Sequence, residues 1–167
     1  DDERFPAKQL MWFLNGAKDA GDRPPNLKAH DDDTRQKIDF YQLYELQCQR
    51  EGVVDFAELL LRSYELLRDN EGVREHYKRR FKHILIDEFQ DTNKLQYLWL
   101  KMLAGQDKAA RAATEDVAAV FAVGDDDQSI YAFRGARVGN MHDFVREFGV
   151  QRQIKLEENY RSYSNIL

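Results

Sequence analysis

Two adjacent carboxylates, Asp87 and Glu88, interrupt the run Ile84-Leu85-Ile86-Asp87-Glu88-Phe89-Gln90-Asp91. Three branched apolar residues lead straight into them with no turn residue between. That pattern reads as a short buried strand whose C-terminal end delivers both acids into a crevice. In an open parallel sheet, that edge is where ligands bind. Carboxylates there divide the labour: one holds a divalent cation, directly or through water, and the other takes a proton from an attacking water. The plainer reading is a strand that ends in a solvated acidic turn, and a short motif discriminates only weakly between the two.

A second apolar run, Val117 to Val123, ends in Gly124-Asp125-Asp126-Asp127-Gln128. Two successive strands would thus deliver polar side chains to one edge of a sheet. The Gln128 amide can donate to a phosphate oxygen and accept from a water. The acids Asp125 and Asp126 read more simply as a solvated turn. Tyr131 and Phe133 follow, interleaved with Arg134 and Arg137 in a segment that contains Gly135. Aromatic faces beside guanidinium groups suit sequence-tolerant binding of single strands, while two rings filling a core is the structural alternative. A third apolar run, Gln153 to Leu156, leads into Glu157-Glu158-Asn159-Tyr160-Arg161-Ser162. Arg161 could stabilise charge on a transferring phosphoryl group and Tyr160 could stack on a base; an ordinary helix start with an exposed Arg is the alternative. No Gly-x-x-x-x-Gly-Lys-Ser/Thr phosphate loop occurs, the four histidines are scattered, and no Gly-x-Ser-x-Gly elbow is present.

The elements that must position these groups follow from periodicity. Helices are expected over 6–20, with Leu10, Phe13, Leu14 and Ala17 on one face, and from Asp32 or Asp33 to Gly52. The buried side of that second helix is expected to carry Ile38, Tyr41, Leu43, Tyr44, Leu46 and Cys48. Asp55 with Glu58 makes a capping-box-like start for a third helix through 67, and a short basic helix over 73–80 precedes the first strand. Beyond it, strands over 82–87, 117–123 and 153–156 alternate with helices near 94–103 and 138–148. That alternation argues a parallel α/β sheet. A boundary is therefore placed near residue 80, between an all-helical part and an α/β part. The connection over 105–116 reads as a mobile surface loop.

With 167 residues and 43% apolar content, the chain is long enough for one globular core. Its net charge of −5 does not announce a nucleic-acid binder, so any such binding needs a local basic patch or stacking rings. Cys48 is the single cysteine, which fits a reducing compartment. No apolar run is long enough to span a membrane, and Asp1-Asp2-Glu3-Arg4 is unlike a signal peptide. A cytoplasmic protein without membrane partners is the expectation.

Taken together, Asp87-Glu88-Phe89-Gln90-Asp91-Thr92-Asn93, Gly124-Asp125-Asp126-Asp127-Gln128-Ser129-Ile130-Tyr131 with Arg134-Gly135-Ala136, and Leu156-Glu157-Glu158-Asn159-Tyr160-Arg161-Ser162 resemble motifs II, III and IV of the UvrD/Rep/PcrA helicases of superfamily 1. The resemblance covers most of the chain, since Tyr44 to Leu60 also looks like this family's helical insertion. It implies an α/β fold: part of a P-loop NTPase (RecA-like) parallel sheet, preceded by an all-helical subdomain. Residues 1–80 would be 1B-like and 81–167 the C-terminal part of domain 1A. The implied activity is ATP-dependent 3′→5′ translocation and unwinding, in DNA repair, with ATP and Mg2+ as cofactors. The implied partners are single-stranded DNA, single/double-strand junctions and other repair proteins.

Residue by residue, the resemblance makes Asp87 the magnesium ligand and Glu88 the activator of the hydrolytic water. Gln128 contacts the γ-phosphate, Tyr160 packs on adenine and Arg161 is the arginine finger. Tyr131 and Phe133 stack on DNA bases beside Arg134. Phe133 stands where the family usually has Trp, and the 105–116 connection looks longer than usual. Without a phosphate loop, these residues alone are expected to be inactive. A helicase–nuclease of the RecB or AddA type shares the motifs, and a non-catalytic DNA-binding module is the other-class reading.

Overall fold

The computed structural model describes residues 4–106, 117–125, 139–158 and 160. Four helices come first: α1 (Ala7–Ala20), α2 (Asp32–Glu51), α3 (Phe56–Asp69) and α4 (Glu71–Arg80). Strand β1 (His83–Ile86), helix α5 (Lys94–Leu103), strand β2 (Ala119–Ala122) and helix α6 (Gly139–Glu147) follow. Local chemistry explains most of these bounds. Gly21 and Gly52 end α1 and α2 at φ of +86° and +68°, a left-handed conformation that costs glycine little. The α2 cap is Asp31, one residue before the expected acids: its carboxylate accepts from the Thr34 N–H at 2.6 Å.

At α3, Asp55 caps as expected, accepting from the Glu58 N–H at 2.7 Å. Glu58 does not reciprocate as a capping box would. Its side chain turns inward and meets Lys18 at 3.0 Å, Arg23 at 2.9 Å and Arg62 at 2.6 Å. Lys18 also reaches Asp55 at 2.7 Å. Arg23 forks onto Glu65 at 2.9 and 2.7 Å and also pairs with Glu45. This charged cluster ties α1, α2 and α3 together. Burial alone would raise Glu58, but donors from Arg62, Lys18 and Arg23 outweigh it and hold its carboxyl below the usual range. Asp55 is likewise held low: the Lys18 bond and the Glu58 N–H outweigh its desolvation.

Leu43 and Leu46, expected on the buried side of α2, are 60% and 55% exposed. Tyr41 takes that side, fully buried with Leu14 and Ala17. At 100° per residue, positions 43 and 46 lie roughly 140–200° around the helix from Tyr41, so they point away from it.

The sheet is β1 paired in parallel with β2, in the register His83↔Ala119 to Ile86↔Ala122. Ile84, Ile86, Val120 and Ala122 pack on a core of Phe89, Tyr97, Leu100 and Phe144. The buried strand expected at 84–86 is buried on one face only, because Leu85 and, beside it, Phe121 lie on the opposite side and are 78% and 57% exposed. The covered face has α5 and α6 against it; no described element covers the other. The third expected strand also fails. Residues 153–156 are irregular, with Ile154 and Leu156 62% and 86% exposed. Four alternating residues make a strand only where a neighbour supplies the ladder. Across residue 80, Trp99 donates to Ser63 Oγ at 2.9 Å and Asn93 to Asp19 Oδ1 at 2.9 Å, so helices from both sides pack together.

Candidate functional site

Both strands end at the same edge, and the chain beyond them is stitched across it. Val123 N–H donates to Ile86 O at 2.8 Å and Phe89 N–H returns to Val123 O at 2.9 Å. This extends the pairing past the last strand residues and fixes the backbone on either side of Asp87 and Glu88.

Asp87 is exposed, and its Oδ1 accepts from the Glu88 N–H at 3.0 Å. Glu88 has φ +51° and ψ +45°, the one described non-glycine residue in the left-handed region. Such a conformation costs of order 1–3 kcal/mol in a side-chain-bearing residue and persists where its surroundings enforce it. Here the enforcement is visible on both flanks. Before it runs the paired strand. After it, a short 3-10 turn (Phe89–Asp91) buries Phe89 completely. Thr92 Oγ1 donates to Phe89 O at 2.7 Å, and buried Asn140 of α6 donates to Thr92 O at 2.8 Å. Asn93 then opens α5 with a full capping box: its Oδ1 accepts from Gln96 N–H at 2.8 Å and Gln96 Oε1 accepts from its own N–H at 2.8 Å.

Sequence reasoning gave Gln90 no role, yet it is the most connected side chain at this edge. It is buried, its Nε2 donates to Glu88 Oε2 at 2.7 Å, and its Oε1 accepts from the Asp125 N–H at 2.9 Å. The Glu-x-Gln spacing within a tight turn was the available signal.

Of the other expected site residues, Tyr160 is described: it is 86% exposed and its hydroxyl donates to Glu158 Oε2 at 2.7 Å. Gln128, Tyr131, Phe133, Arg134 and Arg161 lie outside the described residues, as do Asp126 and Asp127. The described residues therefore bring Asp87, Glu88, Gln90 and the Asp125 backbone together. No group of three or more His, Cys, Asp or Glu placed to hold a metal occurs among them. One exposed carboxylate with a free Oδ2 does fit a magnesium ion that keeps several waters and takes its remaining ligands from a substrate phosphate. A pair of acids, one open to a cation and one held at a fixed angle beside it, is the equipment of metal-assisted hydrolysis.

An acidic pair where a strand ends at the edge of a parallel sheet is a place where hydrolytic chemistry can be built, and the sequence identifies the family. Residues 1–149 match the UvrD/REP helicase N-terminal domain, and the chain belongs to that family. Over its full length it is 47% identical to DNA helicase II of Haemophilus influenzae and 46% identical to DNA helicase II of Escherichia coli, covering 22% of each. It is 37% identical to the ATP-dependent DNA helicase UvrD1 of Mycobacterium leprae, over 98% of this chain and 21% of that protein. The chain thus spans about a fifth of the length of these curated relatives. Among the described residues, no helix is long and apolar enough to cross a membrane.

Proposed function

We propose that this chain is part of an ATP-dependent DNA helicase that moves 3′→5′ along single-stranded DNA and opens duplexes at single/double-strand junctions, in DNA repair. The observation that carries it is the Asp87–Glu88 pair at the shared C-terminal edge of two parallel strands, with Glu88 locked at positive φ. The 46–47% identity over this chain to relatives named as DNA helicases supports the same reading. In it, residues 81–167 belong to a RecA-like P-loop domain and 1–80 to a 1B-like helical part.

Bound ATP with Mg2+ supplies the phosphoanhydride to be cleaved and the charge that screens it. Asp87, whose exposed carboxylate gives one oxygen to the Glu88 N–H, would hold the ion. Glu88 accepts a proton from the attacking water, its side chain starting from a backbone held at positive φ. Gln128 and Arg161 meet the terminal phosphate, Tyr160 covers the adenine, and Tyr131, Phe133 and Arg134 hold the DNA strand. A strand-displacement assay tests this with the full-length protein carrying the chain. ATP-dependent opening of a 3′-tailed duplex and not of a 5′-tailed one is expected. Opening without ATP, or from the 5′ tail alone, refutes it.

A further inference from the structure

Gln90 is 4% exposed, and its two hydrogen bonds leave no freedom in how its amide is oriented. A backbone N–H can only donate, so the atom facing Asp125 N at 2.9 Å is the oxygen. The NH2 is therefore the atom 2.7 Å from Glu88 Oε2, where it donates to a carboxylate. A bond to a charged acceptor is about twice as strong as a neutral one. The place where Gln90 lies is kept open by a glycine. A Cβ on Gly124 would fall 2.7 Å from Gln90 Oε1, 2.9 Å from Met141 Cε and 3.3 Å from Gln90 N. Two of those neighbours belong to Gln90 itself, so any side chain at 124 would push its amide away from Asp125.

We propose that Gln90 is a positioning residue for hydrolysis: it aims the Glu88 carboxylate at the attacking water and ties that aim to the backbone just beyond β2. The proposal rests on the reading of Glu88 as the base. The left-handed backbone at Glu88 sets where its side chain starts, and the Gln90 amide sets where it ends. The second bond makes the arrangement conditional on the Gly124-Asp125 segment. If that segment moves away, Gln90 loses the acceptor role that orients its amide. The motif III resemblance begins at Gly124, so the stretches that resemble motifs II and III meet at one buried side chain.

The test uses the full-length protein with single-stranded DNA in excess. Gln90→Met keeps the volume and removes both hydrogen bonds. Gly124→Ala leaves Gln90 intact and displaces it. Each should lower kcat for ATP hydrolysis by roughly 10–100-fold, the loss typical when a group that orients a reacting ligand is removed, with KM for ATP within about twofold. In a Glu88→Gln background, where no base remains to be aimed, single-turnover rates should fall no further on adding Gln90→Met. If Gln90→Met does not accumulate as folded protein, Gln90→Leu carries the same expectation, since leucine likewise offers neither donor nor acceptor.

A kcat within twofold of the unaltered protein in the Gln90 variants overturns the proposal. So does a loss that multiplies in full onto Glu88→Gln, because that marks a structural role. Near-normal turnover by Glu88→Gln alone would instead remove the base reading itself, an outcome distinct from the failure of Gln90.

Discussion

Replacing Lys18 with methionine should destabilise the chain by about 2–3 kcal/mol. The Lys18 side chain is 2% exposed and serves two carboxylates, Asp55 at 2.7 Å and Glu58 at 3.0 Å, with its ammonium also 5.3 Å from the Tyr44 ring centre. Removing one partner of a buried ion pair costs about 3–5 kcal/mol, because the other charge is left uncompensated. Here the figure is reduced, since neither acid is orphaned. Glu58 keeps Arg23 and Arg62, while Asp55 keeps the Tyr44 hydroxyl at 3.0 Å and the Glu58 N–H at 2.7 Å. Methionine preserves most of the packing volume, so little cavity term is added. Urea unfolding of the 167-residue chain, followed by far-ultraviolet circular dichroism, reads the effect. With a slope of about 2 kcal/mol per molar, the midpoint should fall by about 1–1.5 M with the slope unchanged. Adding Asp55→Asn to Lys18→Met should recover part of the loss, since asparagine still caps α3 and carries no charge to be stranded. A midpoint unmoved by Lys18→Met would show that the cluster contributes nothing to stability and that the reasoning about its burial is wrong.

The same cluster sets a pH dependence. Asp55 and Glu58 are held below their ordinary values of 3.8 and 4.5, so their contribution to stability is complete above those values and is lost as pH falls through the lower folded ones. Unfolding midpoints should therefore be flat from about pH 7 to 5 and drop below about pH 4; a midpoint that rises on acidification contradicts the assignment. Asn93→Ala removes a capping box and the bond to Asp19, and should lower stability by about 1–2 kcal/mol in the same urea assay. In the full-length protein, Tyr131→Ala and Phe133→Ala should each weaken binding of a labelled oligonucleotide by about 1–3 kcal/mol at fixed salt, read by fluorescence anisotropy. Unchanged affinity in both would place those rings in the core.

What was legible in the sequence was what local periodicity and local caps determine. Helix α5 lies at its expected bounds, α1 and α3 within a residue or two, and the Asp87–Glu88 pair sits at the end of the strand expected from Ile84, Leu85 and Ile86, which pairs with β2. What was not legible depends on partners distant in the chain. The ion pairs of Lys18, Arg23, Glu45, Glu58 and Glu65 have no local signature, and only the packing of α1, α2 and α3 brings these residues together. Glu58 satisfies the capping-box spacing perfectly well, but three cations draw its side chain inward instead. The alternation in Gln153-Ile154-Lys155-Leu156 looked like a strand, yet no described neighbour offers it a ladder. At the site, the acids were visible as residue types. The positive φ of Glu88 and the Gln90 bridge were not, because both follow from the closeness of two strand ends separated by more than thirty residues.

In the proposed function Asp87 and Glu88 do different jobs at one nucleotide site, and one side-by-side measurement tests that division. Full-length Glu88→Gln and Asp87→Asn proteins are compared for DNA-stimulated ATP turnover and for magnesium-dependent nucleotide binding. Glu88→Gln keeps the side-chain shape and loses the base, so turnover should fall by roughly 10²–10⁴-fold while binding is largely retained. Asp87→Asn should weaken nucleotide binding when magnesium is present and change it little when magnesium is absent. Near-normal turnover by Glu88→Gln, or identical behaviour of the two variants, would contradict the division of roles.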